Sequence, residues 1–223
     1  MSDHVLDRPV WHCLTGPQAH FAQRRDDAVR IDPSIGPFAA SAAGDASGFD
    51  AWRESGPLWL VETDEIAAPP GWRVARSAPL SQMVAQNPLV ENVGDEIVAL
   101  DDEDAPDMAR LAKATEPGPW AGATHRYGGF YGVREGDHLV AMAGTRMRPA
   151  TGFAEVSGVC TDPSARGRGF ARKLMMRVMK DMIDSGQTPF LHSYSTNDGA
   201  IRLYRSLGFA ERRSMVVTIL EAA

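Results

Sequence analysis

Thr161-Asp162-Pro163-Ser164-Ala165-Arg166-Gly167-Arg168-Gly169-Phe170-Ala171 is the stretch on which the fold turns. Before it, residues Phe153–Thr161 read as a strand. After it, Ala171, Leu174, Met175, Val178, Met179, Met182 and Ile183 recur at helical spacing, which predicts an amphipathic helix over Gly169–Ser185, ended by Gly186. The stretch is therefore a strand-to-helix joint. Glycines at 167 and 169 let its backbone turn tightly and meet a ligand with no Cβ in the way. The helix start adds unpaired N–H groups and the positive end of a dipole, a ready anion site. From Pro163 to Lys180 there are six basic residues (Arg166, Arg168, Arg172, Lys173, Arg177, Lys180) and no acidic one. An ordinary turn before a solvated helix face would look similar, and a lone Gly-x-Gly does not separate the two. The spacing is neither Gly-x-Gly-x-x-Gly nor a Gly-Lys-Ser/Thr loop, which excludes the two commonest nucleotide cradles.

Working outward, the later part of the chain is regular. A strand over Glu96–Leu100 precedes a helix capped at Asp104, with Pro106 in its first turn, that runs to about Thr115. After the Gly/Pro/aromatic loop Glu116–Gly129 come strands Phe130–Arg134 and His138–Arg146, joined at Glu135-Gly136-Asp137. Beyond the amphipathic helix, strand Thr188–Tyr194, helix Asp198–Leu207 and strand Glu211–Leu220 complete the order. The expected class is α/β in the α+β sense, a mixed and mostly antiparallel sheet flanked by helices. The earlier part is broken by Asp32-Pro33, Gly36-Pro37, Gly56-Pro57 and Pro69-Pro70-Gly71. There we expect a helix over Phe49–Ser55, strands at Leu58–Glu62 and Trp72–Arg76, a short helix near Leu80–Gln86, and a solvated loop at Ala39–Gly48. A boundary near Glu91–Asp95 divides the chain into an α/β domain of unknown role, 1–93, and a ligand-binding domain, 94–223.

Composition narrows the function classes. Of the 223 residues 23 are basic and 29 acidic, a formal charge of -6, which disfavours nucleic acid as principal partner. No stretch approaches a membrane span, and residues 1–20 lack the apolar run of a signal peptide, so a cytoplasmic protein is expected. Cys13 and Cys160 make no disulfide framework, and His12, Cys13 and His20 make no convincing metal set, so no metal is expected.

Two motifs in register then carry a resemblance. Arg166-Gly167-Arg168-Gly169-Phe170-Ala171 resembles the Arg/Gln-x-x-Gly-x-Gly/Ala signature of the GNAT superfamily of acetyl-CoA-dependent N-acyltransferases. Asn197-Asp198-Gly199-Ala200-Ile201-Arg202-Leu203-Tyr204-Arg205-Ser206-Leu207-Gly208-Phe209 is similar to that family's Asn-x-x-Ala-x-x-x-Tyr-x-x-x-Gly-Phe segment. The glycine N-acyltransferase-like subgroup is closest in flavour, and the resemblance lies in the C-terminal ~130 residues. It implies acetyl-CoA as co-substrate, its pyrophosphate on the amides of residues 166–171, and contacts from Asn197 and Ala200. It further implies that the strand at Val159, Cys160 and Thr161 splays open to pair with the pantetheine arm and stabilise an oxyanion. In relatives an N-terminal half can be a degenerate second copy of the fold, and residues 1–93 show neither motif.

Acyl transfer to an amine needs a proton acceptor, an oxyanion site and an acid for the leaving thiolate. Tyr204 is the candidate acid, against the alternative of a core aromatic. Glu155 is the candidate base, six residues before the strand's end, a position some family members use; an exposed strand carboxylate is the alternative, with water as base. Cys160 reads as a small buried residue, and His192 as a hydrogen-bonded core histidine. The acceptor expected is a small-molecule amine or amino acid lined by Glu116–Tyr127. A protein amine, a non-catalytic acyl-CoA sensor or scaffold, and a homodimer through the N-terminal half stay open.

Overall fold

The strand and helix around the Gly167–Gly169 joint form where the spacing predicts them, as β9 (Phe153–Thr161) and α3 (Phe170–Asp184). The computed structural model describes residues 4–91, 93–94 and 96–223. The expected boundary at Glu91–Asp95 thus includes two residues, Asn92 and Asp95, that lie outside the described ones. One eight-stranded sheet organises the molecule. It comprises β4 (Leu58–Glu62), β5 (Trp72–Ala85), β6 (Ile97–Leu100), β7 (Phe130–Glu135), β8 (His138–Thr145), β9, β10 (Thr188–Tyr194) and β11 (Phe209–Ala222), in the order β4-β11-β5-β10-β9-β8-β7-β6. Every ladder is antiparallel except β9 with β10, which matches the expected class.

Helices cover both faces. α2 (Ala105–Thr115) sets Met108, Leu111 and Ala112 against Leu139, Met142 and Cys160. α3 sets Leu174, Met175, Val178, Met179 and Met182 against Ala141, Ala143, Ala154 and Leu191. Successive strand residues point to opposite faces, so Ala141 and Met142 serve different helices. α4 (Asp198–Ser206) buries Ile201 and leads into β11. Asp104 precedes α2 as expected, but its carboxylate pairs with Arg134 and makes no side-chain cap.

The N-terminal region departs most from expectation. The helix expected near Leu80–Gln86 is instead the second half of β5, whose residues 80–84 pair with β10 and 80–85 with β11. A strand buried on both faces reads as a continuous apolar run, which periodicity cannot tell from a helix. The stretch 39–48 is not all solvated loop. It starts with β3 (Ala39–Ser41), fully buried, in a small antiparallel sheet with β1 (Ala22–Arg25) and β2 (Ala28–Ile31). Phe49–Ser55 is helical, in 3₁₀ form, and α1 (Pro9–Thr15) precedes the small sheet. The division at residue 93 is not a division of the main sheet. β4 and β5 come before it, and β5 is the only strand between β10 and β11.

Candidate active site

β9 and β10 stay paired only at Phe153↔Thr188, Ala154↔Pro189 and Glu155↔Phe190. Beyond that point β9 keeps β8 and β10 keeps β5, so the two strands part and leave a cleft. A bulge accompanies the parting. Cys160 opposes Met142 and Ser157 opposes Gly144, which leaves Gly158 and Val159 facing the single residue Ala143. Gly158 makes this possible at φ 62, a left-handed conformation. The cleft has a volume of about 230 Å³ and is lined by Val159 from β9, by His192, Ser193 and Tyr194 from β10, and by Asn197 and Tyr204. Residues 115–119, Arg146, Val217 and the N-terminal side chains Phe38, Trp59, Val61 and Leu80 complete its wall.

Asn197 accepts a hydrogen bond from the Ala200 N–H at 3.3 Å and so caps α4. One turn later Tyr204 faces the cleft, its ring edge-on to Phe209 at 6.3 Å. Among the described residues its hydroxyl has no hydrogen-bond partner. Burial pushes its pKa up to about 12, so the phenol stays protonated. At the other end, Gly167 and Gly169 adopt φ of 77 and 81, and no atom lies within 4 Å of where a Cβ would stand on either. The space before the loop is open, and Gly169 caps α3, whose first N–H groups face it. The positive charge is smaller than composition suggests. Arg168 pairs with Glu135, Lys173 with Glu96, Arg177 with Asp181 and Lys180 with Asp184. Arg166 and Arg172 have no carboxylate partner among the described residues; Arg166 bonds the Thr161 carbonyl and Arg172 the Ser206 hydroxyl.

Glu155 is in a different setting from the one expected of a base. It is fully buried and does not line the cleft. Arg146 donates to both its oxygens at 2.8 Å, and His192 Nδ1 adds a third bond at 2.8 Å. The Arg146 guanidinium and the His192 bond hold the Glu155 carboxyl well below the usual carboxylate range, despite its burial. The Gln82 amide fixes the histidine tautomer. Its Oε1 accepts from Arg212 and its Nε2 donates to the Leu6 carbonyl, both at 2.7 Å. That Nε2 therefore also meets His192 Nε2, 3.0 Å away, as a donor, leaving the imidazole proton on Nδ1 toward Glu155. His192 is thus the hydrogen-bonded histidine that was expected, although its ring also borders the cleft. Cys160 packs under α2 with its thiol pushed up to about 11 by burial, which makes it inert. Thr161 Oγ1 is buried without a partner. Sequence reading missed Gln82, Arg146, Trp59 and Phe38. Their roles depend on pairings between distant segments, which no local spacing encodes.

Comparison with known proteins finds the same fold. A crystal structure of a GNAT-family protein from Novosphingobium aromaticivorans is 52% identical, with a TM-score of 0.95 over 99% of this chain and 100% of that one. A GCN5-related N-acetyltransferase from Kribbella flavida shares the fold at 19% identity and TM-score 0.59, covering 91% of this chain and 89% of that one. N-alpha-acetyltransferase RimI of Mycobacterium tuberculosis is 36% identical over 84 residues, 36% of this chain and 51% of that protein. An uncharacterised Mycobacterium leprae protein is 32% identical over 168 residues, 69% of this chain and 46% of that protein. The chain spans about half the length of these two curated relatives. The model of the acetyltransferase (GNAT) family matches residues 95–209, more than half of the chain, and ends on the Gly208-Phe209 pair that closes the second sequence motif: this chain belongs to that family.

Proposed function

We propose that the protein transfers an acetyl group from acetyl-CoA to a primary amine of a small molecule, directly, with both substrates bound at once. The observation that carries this reading is Tyr204, an unpartnered, protonated phenol facing the opening between β9 and β10. The amides of residues 167–171 would hold the pyrophosphate, with Arg166 and Arg172 beside it and Asn197 and Ala200 at the α4 end. The open space before Gly167 and Gly169 fits that group. The unpaired end of β9 offers backbone groups to the pantetheine arm, and an N–H between Val159 and Thr161 stabilises the oxyanion. The amine nitrogen bonds to the thioester carbon and gives a proton to water, since Glu155 is buried and committed. As the C–S bond breaks, Tyr204 gives its proton to sulfur and regains one from solvent. Burial keeps the Tyr204 phenol protonated, so a proton is on hand for the leaving thiolate across the neutral range.

Tyr204→Phe tests the assignment. It keeps the ring and removes one oxygen, so we expect turnover to fall about 10²-fold or more while coenzyme A affinity changes little. Full turnover would return Tyr204 to a packing role. A second reading, acetylation of a protein α-amine, draws on the similarity to the RimI enzyme. A peptide panel beside the small amines distinguishes the two.

A further inference from the structure

Arg30, on β2, is only 4% exposed, yet its Nη1 has no hydrogen-bond partner. No carboxylate among the described residues forms an ion pair with it. Asp32 acts on it through space without a hydrogen bond or ion pair. Asp32 bonds instead to Ser34, at 2.8 Å to its N–H and 2.7 Å to its hydroxyl. The one close aromatic contact is Trp52, 5.7 Å from the guanidinium carbon. Arg146, Arg8 and Arg212 are sheltered too but paired, with Glu155, Glu62 and Asp7, whereas Arg148, less buried than Arg30, shares its lack of a carboxylate partner among the described residues. Burying a cation without a counter-ion is costly, so the arrangement is incomplete as it stands.

What Arg30 borders is a hollow of about 300 Å³, walled by Pro37, Leu58, Trp59, Pro119 and Trp120. Trp59 and Pro119 also line the cleft that holds Tyr204, so the two spaces adjoin across a shared wall. That wall is fixed. The Trp59 N–H donates to the Pro37 carbonyl at 2.9 Å, the Ala123 N–H to Ser34 at 2.7 Å, and the Thr124 hydroxyl to Ile35 at 2.7 Å. Among the described residues Arg30 is the only charged one lining the hollow, and the rest are mostly apolar. A planar guanidinium fork matches one carboxylate in charge and geometry, whereas a phosphate dianion calls for more donors than this wall offers. A neutral ligand would leave Arg30 uncompensated.

We propose that Arg30 binds a carboxylate carried by the acceptor, which is therefore an amine with a carboxylate at its far end and an apolar segment between. This rests on the acyl-transfer reading, with the amine in the cleft and the acid in the adjoining hollow.

The test uses the full chain, wild type and with Arg30→Met or Arg30→Lys. Tryptophan fluorescence, reported by Trp59 and Trp120, follows titration with phenylacetate, benzyl alcohol and inorganic phosphate, and needs no turnover. We expect phenylacetate to bind, benzyl alcohol and phosphate not to, and Arg30→Met to weaken phenylacetate about 10- to 100-fold, the scale of one charged hydrogen-bonded pair. Arg30→Lys should recover part of it. Without ligand, Arg30→Met should melt at or above the wild-type temperature, because an unpaired buried charge has gone. In the turnover arm, ω-amino acids from glycine to 6-aminohexanoate are compared with n-alkylamines of matching length. Wild type should prefer at least one amino acid by about tenfold or more in kcat/KM, and Arg30→Met should lose that preference. Phenylacetate affinity that is absent, or unchanged in Arg30→Met, overturns the proposal, as does binding of phosphate instead. A lower melting temperature with no change in carboxylate affinity makes Arg30 structural and also overturns it. Carboxylate binding through Arg30 with no acylation of any amine refutes the acyl-transfer reading and the acceptor role with it, leaving an anion site alone.

Discussion

Glu155 has both oxygens occupied by Arg146 and a third bond from His192, so removing its charge exposes more than a missing base. Glu155→Gln leaves the Arg146 guanidinium, only 14% exposed, without its counter-ion. We expect a loss of about 3–5 kcal/mol in unfolding free energy, measured by denaturant titration. The pH dependence has a definite sign. The carboxyl is depressed in the folded state, so its contribution is fully present above the ordinary glutamate pKa and is lost progressively as pH falls from there through the lower folded value. The stability gap between wild type and Glu155→Gln should therefore hold near neutrality and narrow with acid below about pH 4. A variant as stable as wild type at pH 7 would contradict this. Tyr204 titrates the other way. With its pKa raised to about 12, kcat should show no alkaline fall from this residue up to about pH 10.5. A kcat that halves near pH 9 and loses that limb in Tyr204→Phe would show a phenol far more acidic than its burial implies. Much of this was open to sequence reading only in part. Tyr204 and Asn197 share one helix, where spacing fixes their relation. Glu155 owes its setting to Arg146, His192 and Gln82, which different strands bring together.

At the scale of elements, local pattern was enough for most of the chain after residue 93. β9 and β10 have the bounds that alternation predicts, and α3 begins one residue after the glycine expected to start it. Pattern failed before residue 93. Over residues 80–85 β5 sets Leu80 and Val84 into the core on one face and Met83 and Ala85 into the core on the other, so no polar face marks its alternation. The three-residue strand β3, buried throughout, carries too few side chains to show any period. The loop before α3 gives this scale its prediction. A side chain at Gly169 must adopt φ 81, at a cost of roughly 1–2 kcal/mol, but meets no neighbouring atom. Gly169→Ala should bear that strain alone, whereas Gly169→Asp adds a negative charge where a pyrophosphate would lie. We expect calorimetry to show coenzyme A affinity at least about tenfold weaker in Gly169→Asp than in Gly169→Ala, with native circular dichroism in both. Equal affinities would remove the loop from the site.

At the scale of the whole molecule, the segment before residue 93 supplies part of the cleft's wall and is tied to the later elements. β5 carries Gln82 to His192, Gln18 donates to the Tyr127 and Arg146 carbonyls at 3.1 and 3.0 Å, and Asp7 pairs with Arg212. A fragment of residues 94–223 would lose β4 and β5, which leaves β11 without either of its partners and β10 with one edge unpaired. We expect it to lack a cooperative melting transition, and a fragment that melts like the full chain would contradict this. The main sheet's continuity across residue 93 was invisible to composition, since a strand's partners are chosen by the fold and not by its neighbours in sequence. The most direct test of the account is thiol release by the intact protein from acetyl-CoA, with and without a panel of primary amines and amino acids. The account predicts release that depends on at least one amine, in equal amount with its N-acetyl product. Tight coenzyme A binding with no amine-dependent release across the panel would contradict it.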